Sequence, residues 1–371
     1  MPVPLLDLVG QYQAIKDEVL PALLRVVERQ QFILGEEVGQ LEQALAELCE
    51  CRHAIACASG TDALLLLLKT LDLKPGDEVI SPAFTFFATA GTIHNAGGTP
   101  VFIDIDPASF NLDPAALEAA ITGRTRAIMV VHLFGQMAPM ERILAIAEKH
   151  GLTVIEDAAQ SIGARRLIDG RWRTAGSLAY AGTFSFFPTK NLGGWGDGGL
   201  MVTQDAALAE RLRRLRTHGG AKQYFHDEVG FNSRLDTLQA AVLLAKLPHL
   251  AGWSAARRRV AERYTAAFAD HPAIAAPIAD PANEHIYHQY TLRVERRDGL
   301  QAHLRERGIG TGVYYPLGLH LQPCFAHLGY RLGSLPATEA ATRSVISLPV
   351  YPELTLAQQD TVIAGVKEFY Q

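Results

Sequence analysis

Between residues 50 and 205 the chain repeats one rhythm, in which a short run rich in apolar residues is followed by a stretch with helical spacing and then by another run. Seven such runs can be named: Ala54–Ala58, Glu78–Ser81, Pro100–Asp104, Ala127–His132, Thr153–Asp157, Gly182–Phe186 and Leu200–Thr203. Most are rich in Val, Ile and Phe, as strands buried on both faces are. Strands that alternate with helices form a sheet covered by helices, so the expected fold class is α/β with one seven-stranded, mostly parallel sheet. The helix punctuation agrees. Asp113 followed by Pro114 is an N-cap with proline at the first helical position, opening Ala115–Ile121, which Gly123 ends. A helix from Ala206 to about Thr217 stops at Gly219–Gly220, and another, Leu235–Leu247, stops at Pro248.

At 371 residues the chain exceeds what one core usually fills. The boundary is placed at Pro248. Residues 1–248 form a large domain whose first fifty residues read as two amphipathic helices, and residues 249–371 form a small α+β domain. The small domain is expected to hold a long helix to about Ala269, a strand at Tyr290–Val294, a helix at Gly299–Arg307, a strand at Thr311–Tyr315 and a last helix from Thr355.

A formal net charge of −5 leaves no broad basic field, and the dense basic run Arg211–Arg216 lies on an amphipathic helix, so nucleic acid is not an expected partner. The four cysteines show neither metal-ligand spacing nor a disulfide framework, so no metal is expected and a reducing cytoplasm fits best. No apolar run is long enough to span a bilayer, and Met1–Leu6 lacks the features of an export signal.

Four motifs carry chemistry. Phe184-Ser185-Phe186-Phe187-Pro188-Thr189-Lys190 puts a lysine just beyond a buried strand and ahead of the glycine-dense Gly193–Gly199. A desolvated lysine loses its proton readily and becomes a nucleophile for Schiff-base chemistry, although the segment alone is equally compatible with a surface loop. The strand ending at Asp157 lies 33 residues earlier and places an acid where sheet proteins hold ligands. Such a carboxylate can keep a pyridine nitrogen protonated, and a plain helix cap is the alternative. Finally, Ala58-Ser59-Gly60-Thr61-Asp62 joins a strand to a leucine-rich helix, whose unpaired first amides suit a phosphate. Ser81-Pro82-Ala83-Phe84-Thr85-Phe86 follows the next strand and could set a ring on a planar cofactor.

Taken in this order, the motifs resemble the DegT/StrS family of nucleotide-sugar aminotransferases, which are pyridoxal-phosphate (PLP) enzymes of fold-type I, and the resemblance runs from about Leu5 to the C-terminus. It implies PLP as cofactor, Lys190 as the Schiff-base lysine, Asp157 as partner of the pyridine nitrogen and Gln160 as contact to the ring hydroxyl. Gly60, Thr61 and Ser185 are implied phosphate ligands, and Phe86 takes the ring-stacking position. The segment Gly230–Ala241 is similar to the stretch that crosses a dimer interface in the family. That implies a homodimer with composite sites, Asn232 reaching the neighbour's phosphate. Arg234 is a substrate candidate, its alternative being an ion pair with Asp236. Tyr314 and Tyr315 are further substrate candidates, although many relatives carry His-Tyr-Pro where this chain has Tyr314-Tyr315-Pro316.

The implied reaction moves an amino group from glutamate, leaving 2-oxoglutarate, to a nucleotide-linked keto sugar for surface-polysaccharide or amino-sugar synthesis. Carbon 3 is the expected position, with a UDP-linked N-acetylated uronate favoured over a TDP-linked deoxysugar. Retention of Lys190 fits transamination, because relatives that dehydrate carry histidine there. Two other functions compete. A desulfurase would need a reactive cysteine, but Cys324 has no charged neighbour and reads as a small core residue. A PLP-binding regulator is the other, although the two helices before Glu50 do not resemble a DNA-binding module.

Overall fold

The computed structural model describes residues 2–371. Two helices, α1 (Leu8–Arg29) and α2 (Glu36–Leu48), open the chain. There follow β1 (His53–Cys57), α3 (Gly60–Lys69), β2 (Glu78–Pro82), α4 (Phe87–Asn95), β3 (Thr99–Ile103), α5 (Pro114–Ala120), β4 (Thr125–Val131), α6 (Met140–His150) and β5 (Thr153–Asp157). A hairpin of β6 (Arg165–Ile168) and β7 (Arg171–Thr174) precedes β8 (Ala181–Ser185), β9 (Gly199–Thr203), α7 (Ala206–Leu215), α8 (Thr237–Lys246) and α9 (Leu250–Phe268). The remainder comprises β10 (Ile274–Ala275), β11 (Asn283–Glu284), β12 (Tyr290–Val294), α10 (Arg297–Glu306), α11 (Pro336–Ser344), β13 (Val345–Leu348) and α12 (Leu356–Phe369).

All seven apolar runs enter one sheet, in the order β1-β9-β8-β5-β4-β2-β3. Its strands are parallel except β9, which runs against both its neighbours. Strand β4 shows why these segments lack polar alternation. Ile128 and Val130 pack into the core on one face with Leu41, Phe184 and Leu243, while Ala127 and Met129 pack on the other with Leu64, Leu67 and Leu212. Helices cover both faces, so both parities of the pleat must be apolar.

A further core gathers Tyr264, Tyr290, Leu292, Leu300, Ile346 and Val362 with Val3 from the start of the chain. Val3 is held there because its amide donates to the Gly308 carbonyl and its own carbonyl accepts from Gly310.

Two expectations need correction. Thr311–Tyr315 is not a strand: Gly312 alone exchanges hydrogen bonds with Ser347, of 3.1 and 2.7 Å, and the chain then leaves the sheet toward the site. The strand is instead β13, which pairs antiparallel with β12. The helix expected to stop at Pro248 does so, α8 ending at Lys246, and a 3-10 turn at Leu247–His249 with proline early in it leads into α9. Cys324 is exposed and not a core residue, lying on the short 3-10 segment Pro323–Leu328.

Candidate active site

Because β9 is antiparallel to both β1 and β8, strands β1, β8 and β5 all point the same way and deliver their C-terminal ends to one edge of the sheet. Gly60, Ser185 and Asp157 follow or end those strands. Three motifs far apart in sequence thus meet at the edge where open α/β sheets bind ligands.

The turn from β1 into α3 is a tight cradle. Ser59 caps α3 by accepting from the Asp62 amide, at 3.0 Å, whereas the Gly60 and Thr61 amides have no protein acceptor among the described residues. A Cβ on Gly60 would lie 2.6 Å from the Ser185 Cβ, so only glycine lets the α3 turn sit against β8. Open amides at a helix start and an adjacent hydroxyl fit a phosphate. Gly60→Ala is accordingly expected to weaken PLP binding roughly ten- to hundredfold. Titration of the apo-protein by fluorescence would measure this, and unchanged affinity would show that the cradle is not the phosphate site.

Lys190 stands in a loop that is pinned from several sides. Its amide donates to the Phe187 carbonyl at 2.8 Å, and the buried Lys246 donates to the Gly193 carbonyl at 2.7 Å. Asn191 donates to the Ile286 carbonyl at 3.3 Å and meets His288 Nδ1 at 3.1 Å. The Lys190 side chain keeps some exposed surface. Protein crowds its ammonium enough that desolvation lowers its pKa to about 8, against an opposing pull from the Asp157 charge. His288 is held neutral, well below its ordinary pKa, by burial and by the nearby positive charges of Lys190 and Arg257.

Asp157 is buried, and burial pushes its pKa upward. Opposing that push are hydrogen bonds from Thr89 Oγ1, at 2.9 Å, and the Ala159 amide, at 3.3 Å, together with the charges of Lys190 and His132. The residues after Asp157 form turns rather than a helix, which removes the helix-cap alternative. Its neighbour Glu156 is fully buried and structural, accepting from the amides of Gly176, Leu178 and Ala179 and pairing with His132 at 2.9 Å.

Gln160 accepts from the Phe134 amide at 2.8 Å and donates to the Tyr315 hydroxyl at 3.1 Å, leaving one amide hydrogen free. Phe86 is 57% exposed, and its ring lies 6.4 Å from that of Tyr315. Tyr314 packs beside Tyr315, with ring centroids 6.0 Å apart.

Asn232 and Arg234 flank the buried Ser233, whose hydroxyl donates to Asp62 at 2.6 Å and accepts from the Ala58 amide at 3.4 Å. That pairing ties their segment to the α3 turn, yet Asn232 itself faces outward. Arg234 borders an open cavity of about 680 Å³ with His218, Lys222, Tyr224 and His226. No ion pair with Asp236 or any other acid forms among the described residues.

Sequence reasoning missed Thr89, His132, Asn191, Lys246 and His288. Thr89 lies only three residues beyond Phe86 and His132 ends a named strand, so both were within reach. Lys246 and His288 belong to distant elements and gave no local signal.

A desolvated lysine facing a strand-end carboxylate, beside a glycine cradle with open amides, on a sheet whose one reversed strand lies between β1 and β8, defines a fold-type I PLP-dependent enzyme. The chain belongs to the DegT/DnrJ/EryC1/StrS aminotransferase family, whose model matches residues 13–367. It is 45% identical to the UDP-N-acetyl-3-dehydro-alpha-D-glucosamine 3-aminotransferase of Acidithiobacillus ferrooxidans, over 95% of this chain and 94% of that one. Identity is 43% to the UDP-2-acetamido-2-deoxy-3-oxo-D-glucuronate aminotransferase of Pseudomonas aeruginosa, over 98% and 99%. A protein of Geobacillus stearothermophilus named as a pleiotropic regulatory protein is 50% identical over 100% and 99%. Among solved structures, S. venezuelae DesV in complex with a ketimine intermediate superposes with a TM-score of 0.96 at 43% identity, covering 100% and 99% of the two chains. NtdA from Bacillus subtilis, with bound cofactor PMP, gives 0.89 at 35% identity, covering 96% and 82%. The chain is therefore a PLP-dependent sugar aminotransferase.

Proposed function

We propose that this enzyme transfers the amino group of glutamate to carbon 3 of a UDP-linked 3-keto sugar. The observation that carries the chemistry is that Lys190, its pKa lowered to about 8, lies within electrostatic reach of the buried Asp157. Support for the acceptor comes from the A. ferrooxidans and P. aeruginosa relatives, whose names specify UDP-linked 3-keto sugars. An N-acetylated uronate remains the favoured acceptor, with a UDP-linked hexosamine close beside it and a TDP-linked deoxysugar as the alternative.

In this reading the amides of Gly60 and Thr61 and the hydroxyl of Ser185 hold the phosphate, and Phe86 covers the ring. Gln160 turns its free hydrogen to the ring hydroxyl. PLP, when bound, supplies an electron sink for the charge left on the substrate carbon. Asp157 stabilises positive charge at the ring nitrogen, and Lys190 is the general base and acid that lifts a proton from one carbon and returns it to another. Tyr314 and Tyr315 line the substrate side, and Arg234 presents paired donors to a carboxylate or diphosphate oxygen of the acceptor.

The test is to run the reaction in reverse with 2-oxoglutarate and a panel of UDP- and TDP-linked 3-amino and 4-amino sugars, measuring glutamate formed. Activity confined to 4-amino sugars would overturn the ring position, and a preference for TDP substrates would overturn only the nucleotide. The name of the G. stearothermophilus relative favours a second reading, a regulatory role without turnover. Glutamate-dependent turnover of any keto sugar separates the two.

A second copy completes the site in this proposal, with Asn232 reaching the partner's phosphate. The outward position of Asn232 supports this, as does the apolar surface on α1, where Val9 is 71% and Leu24 58% exposed. Mixing inactive Lys190→Ala with inactive Asn232→Ala is expected to restore up to about a quarter of wild-type activity, because random exchange makes half of the dimers heterodimers, each with both lesions in one site and neither in the other. No recovery despite demonstrated subunit exchange would show that Asn232 serves its own chain or none.

A further inference from the structure

We infer that Thr89, backed by Thr85, is a positioning residue for the transamination, its hydroxyl holding the buried Asp157 carboxylate in the orientation and ionised state that the ring nitrogen requires. The inference rests on the role of Asp157 proposed above.

The hydroxyls form a short directed chain. Thr89 Oγ1 lies 2.9 Å from Asp157 Oδ2 and 3.0 Å from Thr85 Oγ1, and all three side chains are buried. An ionised carboxylate only accepts, so the single proton of Thr89 must point at Asp157, and Thr85 must then donate to Thr89. Hydrogen bonds linked this way reinforce one another, and one made to a charge is stronger than one between neutral groups.

Thr92, one turn further along α4, shows what a helical threonine does by default. Its hydroxyl folds back onto its own helix, donating to the Ala88 carbonyl at 2.8 Å. Thr89 forgoes that bond and reaches across to another strand. It supplies the one side-chain hydrogen bond that Asp157 receives among the described residues; the other oxygen has only the longer contact to the Ala159 amide. Charged or titratable groups coupled to the carboxylate are Lys190, His132 and the Tyr315 hydroxyl.

The spacing of Thr85 and Thr89 also gives the turn two uses. Phe86, between them, is the N-cap residue of α4 and faces outward, whereas the Thr89 hydroxyl meets Asp157 and the Thr85 hydroxyl meets Thr89. One turn thereby carries both the ring proposed to cover the cofactor and the hydroxyl that holds the Asp157 carboxylate.

The test reconstitutes the protein with PLP labelled with ¹⁵N in its ring and reads the nitrogen chemical shift beside the rate of the glutamate half-reaction. Asp157→Asn gives the limiting, unprotonated position of the signal. Thr89→Val keeps the shape but removes the donor. It should move the signal part of the way to that limit and slow the half-reaction by about tenfold. Thr89→Ser should restore both, and Thr89→Ala serves with the same expectation where valine does not fold. A signal that stays in place in Thr89→Val or Thr89→Ala, or a serine variant that rescues nothing, overturns the role of Thr89 while leaving that of Asp157 intact. If Asp157→Asn itself leaves the signal unmoved, the underlying reading of Asp157 is what fails.

Discussion

Lys190→Ala is expected to abolish transamination, lowering turnover by at least about 10⁴-fold, because one side chain supplies both the nucleophile and the proton carrier. The fold should survive. Lys190 makes no side-chain hydrogen bond within the chain among the described residues, and its loop is held by Lys246 and by the Asn191–His288 pair. Circular dichroism and the melting temperature of the variant should therefore match wild type. In the wild-type protein, borohydride reduction followed by peptide mapping should place the pyridoxyl group on Lys190, and a label on another lysine would refute the assignment. The lowered pKa also fixes a pH dependence. Above about pH 8 the neutral amine predominates, so the rate at which the apo-protein captures PLP should rise with pH and level off near that value. A midpoint near the ordinary lysine value, measured by stopped-flow absorbance, would show that desolvation does not activate this amine.

Asp157→Asn is the second large effect, with an expected fall of about 10³-fold in the rate of proton removal from the donor. The substitution preserves size, and the Thr89 hydroxyl can still donate to the amide oxygen, so packing should change little. What is lost is the negative charge. An asparagine cannot hold a proton on the ring nitrogen, and the electron sink weakens accordingly. PLP should still bind, because the proposed phosphate cradle at Gly60, Thr61 and Ser185 is untouched. Single-turnover kinetics with glutamate would separate binding from chemistry. A near-normal rate in this variant would reduce Asp157 to a structural acid like its neighbour Glu156, whose oxygens are taken up by three backbone amides and His132.

The sheet was legible because its strands are covered on both faces, so each reads as an unbroken apolar run that no surface segment imitates. Lys190, Asp157 and Gly60 were legible for a related reason: each lies at or just beyond the end of such a run, where local sequence already implies a loop against a ligand edge. Segments whose structure depends on distant partners were not. The hairpin β6–β7 carries Arg165, Arg166, Arg171 and Arg173, and it becomes strand only by pairing within itself and with β11, more than a hundred residues on. Strand β13 is four residues long, and its pairing with β12, rather than its pattern, distinguishes it from the neighbouring Thr311–Tyr315. The same division runs through the site. Residue types and spacing picked out the side chains proposed to carry the chemistry and placed them at the strand ends of the α/β sheet. Only the tertiary structure decided that Thr89 aims its hydroxyl at Asp157, that Lys246 and His288 brace the lysine loop, and that Arg234 is free of Asp236. Those are contacts between groups brought together by packing, and their energies exist only once water has been excluded from between them.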